Sequence, residues 1–296
     1  MRKFVVDFIS MHLRYNCIVG VLVVLYAIPH TSCKVKKQII DYISLAESKC
    51  KKHHYTEAEN IIITQLKQDS SYGVSKKLNA IYLNKNLEVL TSNEAFSDSI
   101  KFYIVSSYIK YYPYPKYEKI IEFVDLYLAD QKPRYEYGWI KKHKPELVDS
   151  TRENLWHNDS LVLLKALAIT ANFTIDSFLS LGKFPARAFY FVIIHGGLAV
   201  QKKYFSLFKQ LQQQELIDSY MMATMEDKML MNENKPQKYG TQLCNPYSTN
   251  YYYPYNFVSV DSVNYYRSKV GLPDVLESWR ISGVNVDSLL GVLGKR

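Results

Sequence analysis

Apolar residues return every three or four positions through most of this chain, and that spacing constrains its fold more than any other feature. Ile39, Ile40, Ile43, Leu45 and Ala46 set the pattern, and Ala58, Ile61, Ile62 and Leu66 repeat it. A stripe with this period fits the face of an α-helix and no strand. Only 11 glycines and 10 prolines interrupt 296 residues, too few for a loop-dominated chain. The expectation is a mainly α protein, helical from Lys34 to Met231 with little or no sheet. At this length and with 48% hydrophobic residues it has enough material for one large core or two modest ones.

The first residues carry a different message. Cys17 to Ile28 is an uncharged apolar run preceded by Arg2, Lys3 and Arg14. A dozen residues fall short of the ~20 that a spanning helix needs and match the hydrophobic region of a signal peptide. Met11 offers a second, more compact start. The run ends at Pro29-His30-Thr31-Ser32-Cys33, and a small residue before Cys resembles the bacterial lipoprotein box, although His30 stands where an aliphatic residue is usual. The resemblance implies that residues 1–32 are removed and that Cys33 is lipidated. The mature protein would then be tethered to the cell envelope, periplasmic or attached to the outer membrane, rather than spanning a bilayer. Beyond Cys17 and Cys33 only Cys50 and Cys244 remain, too few for a disulfide framework and wrongly spaced for zinc.

The formal net charge is +9, but the lysines are scattered in pairs and form no run. No RNA-binding signature, zinc-finger spacing or phosphate loop accompanies them, so a solvated surface is expected and nucleic acid is not a partner. The 26 tyrosines suit half-wet surfaces and interfaces as well as cores, and a Lys- and Tyr-rich composition also fits an AT-rich genome.

Along the mature chain, residues 33–130 read as helical hairpins. His54-Tyr55-Thr56-Glu57-Ala58 resembles the turn and second-helix start of a tetratricopeptide repeat, and Asp69-Ser70 reads as the cap of the next helix. Such a region would suit a protein partner. His53 and His54 point about 100° apart on a helix, so they are polar residues at a turn rather than a metal pair. Residues 131–145, with Pro133, Gly138, Pro145 and a lysine cluster, read as a linker. Residues 146–296 form the remainder, with helices at about 145–169, 185–198, 202–214 and 216–231. A Tyr-dense loop follows over Asn245–Phe257, then a helix over Ser262–Lys269.

The most distinctive stretch is Pro236-Gln237-Lys238-Tyr239-Gly240-Thr241-Gln242. With Phe184-Pro185, the aliphatic run before His195, Asp227-Lys228, Val260-Asp261, Arg267 and Gly271-Leu272-Pro273, it resembles an uncharacterised bacterial family. That family is the domain of unknown function numbered sixty-six twenty-four, marked by a PQxYGTQ box, and the likeness covers roughly residues 159–279. Where that family usually has Asp-Arg, this chain has Asp227-Lys228, which keeps the charge and loses the bidentate fork. The resemblance implies no activity, but it nominates His195, Asp227, Gln237, Tyr239, Gly240, Thr241, Gln242 and Arg267.

A buried carboxylate such as Asp227 needs partners, from Arg267 or from backbone N–H groups of the box. The expectation is one hydrogen-bonded cluster of His195, Asp227 and Arg267 around residues 237–242, with no metal and no cofactor. Two functions fit it. The first is an exported, lipid-anchored module that binds a ligand or partner. The second is a hydrolase-like enzyme with His195 as base and Asp227 as its orienter.

Overall fold

The computed structural model describes residues 42–68, 74–109, 117–244 and 252–293. The signal segment, Cys33, the Asp69-Ser70 cap and the start of the Tyr-dense loop lie outside them. The protein is mainly α. Helix α1 covers residues 42–51 and α2 Tyr55–Gln68, with His53 in the left-handed region between them and Ala46 and Ala58 both buried. Then come α3 (Val74–Tyr82), a helical turn α4 (Glu88–Thr91) and α5 (Glu94–Ile109). The longest element is α6 (Tyr117–His143), about 40 Å of helix at 1.5 Å per residue. It is followed by α7 (Val148–Ile169), α8 (Ile175–Leu181), α9 (Lys183–His195), α10 (Leu198–Gln213) and α11 (Ser219–Asn232).

The stretch expected to be a linker is helix. Residues 131–143 continue α6 without a break and carry Pro133 inside it. Proline lacks the N–H that would serve the carbonyl four residues earlier, here Ala129. That carbonyl is served from outside, because the Asn158 side-chain amide of α7 donates to it at 3.0 Å. Pro145 begins a short 3₁₀ turn, Pro145–Leu147, that leads into α7.

Helix α9 is apolar nearly all round, with Phe184, Phe189, Tyr190, Val192, Ile193 and Ile194 buried, so it belongs at the centre. It packs against α6, and α6 packs against α7. Tilted aromatic contacts link Phe123, Phe178, Phe189 and Phe208 into one column through this core. One cluster of buried residues extends from Tyr42 to Met225, on both sides of the 131–145 stretch.

Past α11 the chain builds a smaller unit. Strand β1 (Leu243–Cys244) pairs antiparallel with β2 (Tyr253–Pro254). Helices α12 (Val260–Lys269), α13 (Val275–Ile281) and α14 (Val286–Leu293) follow. Ser259 and Asp274 cap α12 and α13 by accepting from backbone N–H groups. Val263, Val275, Trp279, Val284 and Val286 form the apolar centre of this unit.

Candidate functional site

Helix α11 is capped by Asp218, whose carboxylate accepts from the N–H of Met221. Nine residues further on, Asp227 is fully buried and faces the PQxYGTQ segment. Its carboxylate receives four donors from that segment. Oδ1 accepts from the N–H of Lys238 at 2.7 Å and of Tyr239 at 2.9 Å. Oδ2 accepts from the N–H and the hydroxyl of Thr241, both at 2.9 Å. Burial pushes this carboxyl's pKa up, while the Thr241, Tyr239 and Lys238 donors oppose the rise. Each backbone group is a donor only, so this pattern suits the ionised oxygens.

The other box side chains are also engaged. The Gln237 amide donates to the carbonyls of Gln242 and Tyr255, and its oxygen accepts from the Gln242 N–H at 2.8 Å. Gln242 in turn donates to the Thr224 carbonyl and the Thr241 hydroxyl. Tyr239 donates its hydroxyl to Glu226, which also pairs with Lys238. Gly240 sits at φ +67°, and a β-carbon there would meet Val275 at 2.8 Å. Only glycine fits such a left-handed and crowded position.

Arg267 lies on the opposite side of the same ribbon. It donates to the carbonyl of Tyr239 at 2.8 Å, to that of Pro273 at 2.5 Å and to Ser278 Oγ at 2.6 Å. The indole N–H of Trp279 donates to the Gly240 carbonyl at 2.8 Å. Burial lowers the Arg267 pKa to about 10, against the pull of Asp227 and Asp274. Residues 238–241 are therefore gripped by a carboxylate on their N–H side and by a guanidinium and an indole on their carbonyl side.

The structure thus brings together Asp227, Gln237, Tyr239, Gly240, Thr241, Gln242 and Arg267; of the two donors expected for Asp227 it is the box N–H groups that serve it, while Arg267 reaches the carbonyl side of the same segment. His195 belongs to another cluster. Its Nδ1 lies 2.9 Å from Asp130 Oδ1, on α6. Asp130 is almost wholly buried and also accepts from Gln131 and from Arg134, one turn along the same helix. Arg134 bridges to Asp159 of α7. Gln201 of α10 donates to the carbonyls of Ile194 and Gly196, which flank His195, and accepts from Asn232 of α11. Asp130, Arg134, Asp159 and Gln201 were not nominated by the sequence. The Asp130–Arg134 spacing of four residues was the available signal, and reading Pro133 as a helix breaker hid it.

Burial lowers the pKa of His195, although Asp130 pulls the other way. Burial would raise Asp130, but His195 and Arg134 overcome it and hold the carboxyl down at about 2. An ionised Asp130 takes Nδ1–H as its donor and leaves Nε2 as the basic nitrogen of a neutral ring. His195, Arg134 and Asp159 keep side-chain exposures of 12%, 13% and 14%, so this cluster borders solvent while the Asp227 latch does not.

An open depression of about 180 Å³ on the outer side of α10 and α11 is lined by Phe205, Met229 and Leu230, with Lys202, Glu226 and Glu233 around them, and it includes none of the nominated residues. Among the described residues no group of three or more His, Cys, Asp or Glu could hold a metal, and no helix is long and apolar enough to cross a membrane. Cys50 and Cys244 are both free thiols, and Cys50 is buried. No family model, curated protein or solved structure matches this chain.

Proposed function

We propose that this chain is an exported, lipid-anchored module of the cell envelope that binds a small polar ligand at the His195 cluster, with the PQxYGTQ segment as a rigid brace. The observation that carries the reading is the division of labour between the two polar centres. All the polar side chains of the box are engaged in holding the box itself. The His195 cluster instead combines solvent contact with a fixed geometry, held by Asp130 on one side and Gln201 on the other. Preorganised polar groups at a half-wet edge lower the ordering cost of binding. The tether rests on the apolar run and Ser32-Cys33.

Two experiments test this reading. Membrane fractionation with acyl-chain labelling should show label on wild type and none on Cys33→Ser; an unlabelled, unattached wild type overturns the anchor. A thermal-shift screen of small polar metabolites on the full chain should find a ligand whose stabilising effect His195→Ala removes. A second reading, a hydrolase, is favoured by the Asp130–His195 contact, which is the arrangement of a base and its orienter. In that reading Asp130 takes the role first expected of Asp227, and His195→Ala removes turnover while Asp227→Ala acts through stability.

A further inference from the structure

Helices α10 and α11 run antiparallel, joined near their shared loop by Gln212 and Ser219 and at the far end by Lys202 and Glu233. Residues three, four and seven apart share a helix face. Glu226, Met229, Leu230 and Glu233 therefore form one stripe of α11, and with Lys202 and Phe205 of α10 they line the open depression of about 180 Å³. Its floor is apolar, and Phe205, Met229 and Leu230 all remain partly exposed. An apolar cavity of about 150 Å³ holds a benzene-sized molecule. This one therefore has room for a single ring or a short alkyl chain.

The charges around that floor are unequal. Glu226 is held by Lys238 at 2.9 Å and by the Tyr239 hydroxyl. Glu233 is held by two lysines, Lys202 and Lys235. Lys209 lies over the Phe205 ring, 4.8 Å from its centre. Four ammonium groups within one contact of the lining thus stand against two carboxylates, a surplus of two positive charges. Lys202 is the movable member. It is more than half exposed, and Lys235 keeps Glu233 paired when Lys202 turns to another acceptor. An exposed ion pair is worth little, so that exchange costs little.

We propose that the depression is a second binding site, separate from the His195 cluster, for a small amphiphilic carboxylate with an apolar body of one ring or a short chain. The body lies on Phe205, Met229 and Leu230, and the carboxylate accepts from Lys202. Apolar contact supplies the affinity, and the surplus of lysines selects the sign of the charge. The site goes beyond the binding reading given above and does not depend on it.

The test uses the full chain in nanodiscs of neutral phosphatidylcholine, with empty nanodiscs as the blank. Phenylpropionate, phenylpropanol and phenylpropylamine share one apolar body and differ in charge, and each is titrated by calorimetry. Phenylpropionate should saturate one site, the alcohol should bind about tenfold more weakly or worse, and the amine should not saturate. Lys202→Met should weaken phenylpropionate about ten- to a hundredfold, the worth of one charged hydrogen bond, and leave the alcohol unchanged. Phe205→Ala should weaken both, and Leu230→Ala serves where that variant does not fold. Glu233→Gln frees Lys202 and should tighten phenylpropionate, a gain that a merely structural ion pair would not give. No saturable binding of phenylpropionate, equal binding of the amine, or binding that Lys202→Met leaves intact overturns the proposal. Binding that His195→Ala removes belongs to the other cluster and also overturns it. Self-association that Phe205→Ala abolishes, read by sedimentation, would seat a second copy in the depression and overturn it as well.

Discussion

The side-chain amide of Asn158 donates to the carbonyl of Ala129, the acceptor that Pro133 leaves without its helical partner. One residue of α7 thereby keeps α6 continuous at the place where its own sequence would end it. The consequence reaches the polar cluster, because Asp130 and Arg134 flank Pro133 on that helix and Asp159 follows Asn158 on the next. Asn158→Ala should cost about 1 kcal/mol, the net worth of one part-buried hydrogen bond. In a Pro133→Ala background, residue 133 regains its N–H, and the same substitution should cost markedly less. Chemical denaturation of the four proteins in this cycle measures the coupling; equal costs in both backgrounds would show that Asn158 does not act through Ala129.

Asp227 receives only donors, so removing its charge and removing its side chain should have similar effects. Asp227→Ala leaves three N–H groups and a hydroxyl buried without an acceptor, and a loss on the order of 4 kcal/mol follows. Asp227→Asn presents an amide NH₂ to those donors and should recover little. A cooperative unfolding curve for the Asn variant at the wild-type midpoint would refute the latch.

Gly240→Ala meets two obstacles, the left-handed backbone and the Val275 methyl at 2.8 Å. The expected destabilisation is about 2–4 kcal/mol. Gly197, where an added β-carbon has open space, is the control, and Gly197→Ala should stay close to wild type in the same assay.

The acid limb of stability should have two steps. His195 has a folded pKa below its unfolded one, so its contribution is complete above about pH 6.5 and falls as the pH drops and the buried ring must take a proton. Asp130, depressed to about 2, contributes fully above its unfolded value near 3.9 and loses its share between there and about pH 2. Arg134 holds Asp130 ionised at neutral pH, and the imidazolium adds to that hold once it forms. Melting temperatures from pH 8 downward should decline through the first window in wild type and flatten there in His195→Gln.

The helices were legible because buried faces repeat every three or four residues, as Ala58, Ile62 and Leu66 do along α2. The box was legible because its residues are contiguous. Asp227 needs backbone donors, and residues 237–242 are the polar run that can supply them. What escaped was a matter of partners. His195 and Asp130 are 65 positions apart, and no local pattern joins them. Pro133 reads as a breaker in any single-helix argument, since the amide that rescues it belongs to another helix. The sequence left Asp227 to either Arg267 or the box N–H groups; the N–H groups fill its oxygens, so the guanidinium turns to the carbonyls behind them.

The grip on residues 238–241 also fixes an order of events. Its carboxylate half is in place once α11 has formed, but its other half comes from Arg267 and Trp279, which follow the box in sequence. Until residue 279 emerges, the carbonyls of Tyr239 and Gly240 have no buried donors and the segment has no reason to leave water. Completion of the box therefore waits until residue 279 has left the ribosome. Nascent chains stopped before residue 279 should remain open to proteases between Lys235 and Gln242, and chains extended well past residue 279 should become resistant there.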